Sequence, residues 1–288
     1  MNRPVILATF SGLGLLDLAF SEVFPEASIV RAPDVIYGSL HDIRTWHAPH
    51  AWGVLGGPPC QIWSRMKYIN PLAGQKHGNL IPEFERICAE ASPDWWLMEN
   101  VPQAPEPKVP GYVTRSLVLN NRWCQSDDGM GAEQNRTRRF SFGTRDGRAL
   151  SVELAAFEAP LREYAVTSSA RPGPVALIRD GKGGHRTKTA LRAPTVLSGH
   201  GAAPGQRDAL RGRMPGADCA GHTGFPDSPE YSIAEMCRLQ GIPSNFADEV
   251  PLTAHGKRKL IGNGVPVFTG RAIAQAVRRA LCPVESSA

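Results

Sequence analysis

The sequence predicts an α/β fold: a doubly wound, mostly parallel sheet flanked by helices, joined to a smaller loop-rich domain. Three observations predict it. Short apolar runs without polar alternation recur through residues 1–143, as in strands buried on both faces of a parallel sheet. Stretches with helical patterning separate these runs. From Thr144 to Glu230 the periodicity fades, and residues 171–224 hold eleven glycines and several prolines.

Taken in order, residues 4–10 read as the first strand and residues 13–24 as the helix after it. Residues 28–31, 52–55 and 95–98 read as further buried strands, each ending in polar or Gly/Pro residues. Pro82 stands at a first helical position, and Ile81, Phe84, Ile87 and Cys88 recur at helical spacing. Residues 140–142 read as a strand, and residues 232–239 return to helical patterning. Pro266 opens a last amphipathic helix, with Ile273, Val277 and Leu281 on one face and Arg271, Arg278 and Arg279 turned to solvent. The expected division is a sheet domain over 1–143 and 231–288, with a second domain over 144–230 inserted in it. No internal repeat is visible.

The chain has 288 residues, 42% hydrophobic and 20% charged, which excludes a disordered tail, a collagen-like fibre and a disulfide mini-protein. It contains no apolar run of the ~18 residues that a membrane helix needs, and residues 5–10 are too short for a signal-peptide core. Six cysteines (60, 88, 124, 219, 237 and 282) lack paired spacing, so they are expected to be reduced thiols in a cytosol-like compartment. The net charge is +5. Its distribution says more: between Arg171 and Arg213 nine basic residues face two acids, a net +7, leaving the rest of the chain at −2. A basic segment on a near-neutral body fits a polyanionic partner, although charge alone equally describes a solvated loop.

Six segments carry candidate chemistry. Phe10-Ser-Gly-Leu-Gly14 follows the first strand, where glycines let a ligand approach the backbone at a helix N-terminus; alone it is an ordinary strand-to-helix turn. Gly56-Gly-Pro-Pro-Cys60-Gln-Ile-Trp-Ser64 puts a cysteine just beyond a buried strand, where open α/β sheets bind ligands. An arbitrary cysteine is more often a small buried hydrophobe, but two fixed prolines and the strand end favour a reactive thiol. Glu99-Asn-Val101 ends the Trp-rich strand; its carboxyl is placed to donate a proton, against the blander reading of a salt-bridged surface acid. In Gln134-Asn-Arg136-Thr-Arg138-Arg139, Arg136 and Arg138 alternate and share a face, suited to one anionic target or to guarding a strand edge. Arg238-Leu-Gln-Gly-Ile-Pro243 and Ile261-Gly-Asn-Gly-Val-Pro266 are helix-linked turns with no chemistry of their own.

In order and spacing these segments resemble the cytosine-5 DNA methyltransferase family. The resemblance covers residues 5–143 and 231–282 and spares the basic middle. It implies a Rossmann-like methyltransferase domain, S-adenosylmethionine as methyl donor with S-adenosylhomocysteine as product, and methylation at C5 of a cytosine flipped out of duplex DNA. Cys60 would add to C6 of the ring as nucleophile. Glu99 would engage N3 and the exocyclic amine, and Arg136 and Arg138 the cytosine carbonyl and a nearby phosphate. For the methyl donor, the resemblance maps Phe10, Gly12 and Gly14 to the methionine end, Asp42 and Ile43 to adenine, and Asp34 to the ribose. Pro59, Leu80, Asn263 and Val265 match further contacts. Residues 61–79 match a mobile catalytic loop, with Gln61 and Ser64 used in base flipping and phosphate contact. The sequence departs from the family pattern at Leu15, where a second glycine is usual, at Trp63, where Phe is usual, and at Gly264, where Ser or Ala is more usual.

The segment 144–230 would then be the target-recognition domain, with Arg179, Lys182, Arg186, Lys188 and Arg192 on DNA. Neither His200, Cys219 and His222 nor the pair His47 and His50 makes a four-ligand zinc pattern, so no metal is expected. The resemblance further implies a cytoplasmic monomer, in a prokaryote or a virus-infected cell, with a cognate restriction endonuclease acting separately. Two alternatives stand beside this reading. One is the same chemistry on tRNA or a modified pyrimidine; the tRNA branch's Cys-Phe-Thr signature is lacking here. The other is a non-catalytic DNA-binding relative, which would need no joint set of Cys60, Glu99, Arg136 and Arg138.

Overall fold

The computed structural model describes residues 3–38, 41–64, 78–160, 176–179, 185–188 and 232–282. Six strands form one sheet in the order β2-β1-β3-β4-β6-β5: β1 (Val5–Thr9), β2 (Ser28–Arg31), β3 (Gly53–Gly56), β4 (Trp95–Asn100), β5 (Val113–Asn120) and β6 (Thr137–Thr144). β2, β1, β3 and β4 run parallel, and β6 lies antiparallel between β4 and β5. The helices are α1 (Leu15–Val23), α2 (Ile81–Ala91), α3 (Ile233–Gln240), α4 (Ala254–Asn263) and α5 (Val267–Leu281).

The predicted buried strands hold for β1, β3 and β4, all of whose residues from Ile6 onward are buried. β2 departs from expectation. It is a sheet edge with Val30 and Arg31 exposed, because among the described residues no further strand lies beside it. α1 begins at Leu15 rather than Leu13, since Gly14 takes a left-handed φ of 81° and caps the helix. β5 and α4 carry weak local signals: β5 is the opposite, largely exposed edge, and α4 is rich in Gly, Lys and Arg.

Trp95 and Trp96, adjacent on β4, point to opposite faces and anchor two cores. Trp95 packs with Phe20, Phe24 and Phe142 beneath α1 and α5; Trp96 packs with Phe84, Ile87 and Met98 beneath α2. Burying a ring of this size contributes about 4–6 kcal/mol, at ~25 cal/mol per Å² over ~150–250 Å². Both indoles lie across glycines of the neighbouring strands. A Cβ at Gly53 would meet Trp95 at 2.3 Å, and one at Gly143 would meet Trp96 at 2.0 Å. Gly270 likewise admits Ala19, which lets α1 and α5 pack closely.

Beyond β6, Leu150 and Val152 pack against the core, and the Gly131 N–H donates to the Phe157 carbonyl. β7 (Ala176–Arg179) and β8 (His185–Lys188) form a separate antiparallel pair within the predicted loop-rich region. Among the described residues no helix is long and apolar enough to cross a membrane.

Candidate active site

The parallel strands deliver three loops to one end of the sheet. After β1 the chain turns sharply at Phe10, whose φ of 53° is unusual for a residue with a side chain and marks a strained position. After β3, Gly56 and Gly57 keep the backbone close to its neighbours: a Cβ at Gly56 would meet Thr9 Oγ1 at 2.1 Å, and one at Gly57 would meet Glu99 Oε2 at 3.1 Å. The chain then rises through Pro58 and Pro59 to Cys60, where a tight turn forms as Trp63 and Ser64 donate backbone N–H groups to the Cys60 carbonyl. After β4, the Asn100 Nδ2 donates to the Pro58 carbonyl at 3.1 Å and so ties the acid-bearing strand to the cysteine loop. Asn100 lies within the Glu-Asn-Val triplet, yet sequence reasoning gave it no role.

Glu99 accepts from the Arg138 guanidinium, Nε to Oε1 2.8 Å, and both side chains are largely buried. Arg136 and Arg138, expected to face one target, make different contacts within the protein. Arg136 is buried and donates through Nη1 to the Gly262 carbonyl at 2.9 Å, and through Nη2 to the Asn263 carbonyl at 3.5 Å. Burial pushes the pKa of Arg136 down to about 9, and Arg138 adds to this, so it keeps its charge at neutral pH. Both arginines still act on the Cys60 thiol. Burial and then the Glu99 carboxylate raise the thiol pKa above its ordinary value, while Arg138 and Arg136 draw it down. The net shift is upward, so the resting thiol is mostly protonated at neutral pH.

A cleft at this end of the sheet is lined by Phe10, Ser11, Leu15, Asp17, Gly57, Glu99, Asn263, Gly264 and Val265, among others. It therefore joins the glycine turn, the acid and the late Gly-Asn-Gly-Val-Pro turn, which are far apart in sequence. Asp17 is buried beside the turn and accepts from Arg31 Nε at 2.7 Å; its burial raises its pKa. No sequence pattern signalled this ion pair, because it joins α1 to the end of β2.

A family profile described as C-5 cytosine-specific DNA methylase matches residues 28–191. The chain belongs to that family. Its enzyme class is DNA (cytosine-5-)-methyltransferase, and it is 23% identical to the Type II methyltransferase M.FnuDI of Fusobacterium nucleatum, over 97% of this chain and 96% of the relative. It is also 23% identical to M.NgoPII of Neisseria gonorrhoeae, over 97% of each chain. Among solved structures it resembles an Entamoeba histolytica methyltransferase, with a TM-score of 0.59 at 14% identity over 98% of this chain and 100% of that one. The Schizosaccharomyces pombe Dnmt2 methyltransferase gives 0.57 at 14% identity, over 96% and 99%. The fold is thus the Rossmann-like methyltransferase fold.

Methyltransferases of this family use S-adenosylmethionine, and the cleft suits that molecule: it has an apolar ring at Phe10, a helix N-terminus at Gly14 and carboxylates at Asp17 and Glu99. Gly12 stands open, with nothing within 4 Å of where a Cβ would be. Asp34 accepts from the Gly12 N–H at 3.1 Å and the Ile36 N–H at 3.0 Å, so it braces the glycine turn from the end of β2. Asp42 caps the short turn Ile43–Thr45 and pairs with Arg44, which holds its carboxyl down at about 2. Ile43 is buried in the core beneath α2. Leu80 caps α2, and Pro59 precedes Cys60 in the cleft-side loop.

Gln61 lies in the Cys60 turn with its Oε1 buried and unpaired among the described residues; Ser64 closes that turn. Arg179 stands on β7, paired in register with His185, and Arg186 and Lys188 stand on β8. Lys182, Arg192, His200, Cys219 and His222 fall outside the described residues. His47 pairs with Glu90, and His50 with the Ala91 carbonyl. Among the described residues no three metal-ligating side chains converge.

Proposed function

We propose that the protein methylates C5 of cytosine in duplex DNA through a transient bond from the Cys60 sulfur to C6 of a flipped-out base. The observation that carries the proposal is the Glu99–Arg138 ion pair, both members of which act on the Cys60 thiol, beyond the carboxyl ends of β3 and β4. When bound, S-adenosylmethionine supplies an electrophilic methyl group. Phe10, Gly12 and Gly14 would hold its methionine end, Asp34 its ribose, and Asp42 and Ile43 its adenine, with Pro59, Leu80, Asn263 and Val265 making further contacts.

Cytosine C5 is a poor nucleophile until C6 accepts an electron pair from sulfur. Glu99 addresses N3 and the amine; a proton shared with N3 makes C6 more electrophilic. The same proton neutralises the carboxylate that holds the Cys60 thiol in its protonated form, so base binding and thiolate formation favour each other. Arg138, fixed by Glu99, meets the negative charge that builds at the cytosine carbonyl. Arg136, anchored on Gly262 and Asn263, joins the cofactor-side turn to the thiol as a fixed positive charge. Gln61 and Ser64 serve base flipping and phosphate contact, and Arg179, Lys182, Arg186, Lys188 and Arg192 hold the DNA backbone and read base edges.

The test is a duplex oligonucleotide carrying 5-fluorocytosine, which cannot lose its C5 substituent. With S-adenosylmethionine present, the protein is expected to stay covalently attached, by denaturing electrophoresis and mass spectrometry. Cys60→Ala is expected to abolish the conjugate; an unchanged conjugate would assign the nucleophile elsewhere. Offering tRNA in competition identifies the polymer.

A further inference from the structure

Two residues of the cofactor-side cleft lie directly against each other. Leu15 is the first residue of α1, directly after the glycine turn, and its side chain is buried among Met236, Ile261 and Val267. Gly264 ends α4 in the turn that carries Asn263 and Val265. Its φ of −65° and ψ of 153° are open to any residue, so the backbone does not call for glycine. The space does. A Cβ built on Gly264 would lie 2.6 Å from Leu15 Cδ1 and 3.0 Å from Leu15 Cγ. Both residues line the cleft. They are also two of the positions where the sequence departs from the pattern it resembles.

We propose that Leu15 and Gly264 form a matched large–small pair that sets the distance between the two cofactor-binding turns, and thereby the affinity for the amino-acid end of an adenosyl amino-acid ligand. The proposal rests on the cofactor reading of the cleft. Carbon atoms settle at about 3.5–4.0 Å, so a methyl group at 264 must push Leu15 or the 263–265 turn away by about 1 Å. A displacement of that size takes the turn's contact atoms away from their optimal separation from a bound ligand. Removing Leu15 beyond Cβ opens the same space from the other side and lets the turns settle closer than the ligand needs.

The experiment is a double-substitution cycle read by calorimetric titration of S-adenosylhomocysteine, with thermal melting recorded beside it. Gly264→Ala is expected to weaken binding about tenfold or more, and Leu15→Ala severalfold. Leu15→Ala/Gly264→Ala, in which the new methyl fills the vacated space, is expected to return to within about threefold of the wild type. Affinities that multiply without recovery overturn the pairing. So does recovery confined to the melting temperature, with every folded single variant binding as the wild type does, since that describes packing alone. If Gly264→Ala does not fold, Leu15→Ala is compared with the double variant: tighter binding by the double supports the pair, and weaker binding overturns it. A wild type that fails to bind S-adenosylhomocysteine at all instead removes the cofactor reading on which the pair rests.

Discussion

At Cys60 opposite charges pull on one thiol. The Glu99 carboxylate raises its pKa, and Arg138 and Arg136 lower it, against a background of burial that also raises it. The sign of a Glu99→Gln exchange follows directly. Removing the negative charge removes one cause of the rise, so the thiol pKa falls and the thiolate fraction at pH 7.5 increases. Iodoacetamide should then modify Cys60 faster in the DNA-free variant than in the wild type, with the alkylation–pH profile displaced to lower pH. Methyl transfer should move the other way, down by about 10²-fold or more, because the group addressing N3 is lost. A mass-spectrometric alkylation series across pH, paired with a tritium transfer assay, checks both directions. An alkylation profile that does not move would show that Glu99 does not govern the thiol.

Between elements, a buried amide network does what no single motif suggests. Gln134 donates to the Leu239 carbonyl at 2.8 Å and to Gln240 Oε1 at 3.2 Å. Gln240 in turn donates to the Ile261 and Gly264 carbonyls. Two residues beyond Gln134, Arg136 reaches Gly262. The start of β6, the end of α3 and the turn after α4 are thus laced together. This gives a role to the Arg-Leu-Gln-Gly segment, which by composition alone had none. Replacing Gln240 with Leu removes its hydrogen bonds to the Ile261 and Gly264 carbonyls and the one it accepts from Gln134, each worth about 0.5–1.5 kcal/mol. A total loss of roughly 2–4 kcal/mol is expected in urea unfolding. S-adenosylhomocysteine affinity should drop with it, since the network holds the turn that carries Asn263.

Across the whole molecule, charge is divided between a nearly neutral sheet body and a basic segment, net +7 from Arg171 to Arg213. Ionic contacts with phosphates release counterions, so binding to duplex DNA should weaken steeply as salt rises. Arg186 and Lys188 both stand on β8. Replacing either with Gln should reduce the slope of log K against log salt by about 0.9 per lost phosphate contact. Fluorescence anisotropy over a salt series measures this. A wild-type slope near zero would remove the DNA role of the segment, whereas unchanged slopes in both variants would move the contacts to other basic residues.

By itself the sequence determined the succession of strands and helices in the sheet body, the burial of β1, β3 and β4, and the loops on which Cys60 and Glu99 stand. These are written in contiguous residues: an apolar run, a glycine or proline at its end, a helical spacing such as Ile81, Phe84, Ile87 and Cys88. The tertiary structure alone decided that Glu99 pairs with Arg138, that Arg136 turns to the Gly262 carbonyl, that Asp17 meets Arg31, and that Leu15 fills the space above Gly264. It also decided that β2 and β5 are exposed edges. The physical reason is that each of these depends on which strand lies beside which. Sheet order brings together residues tens to hundreds of positions apart, and no local periodicity records it.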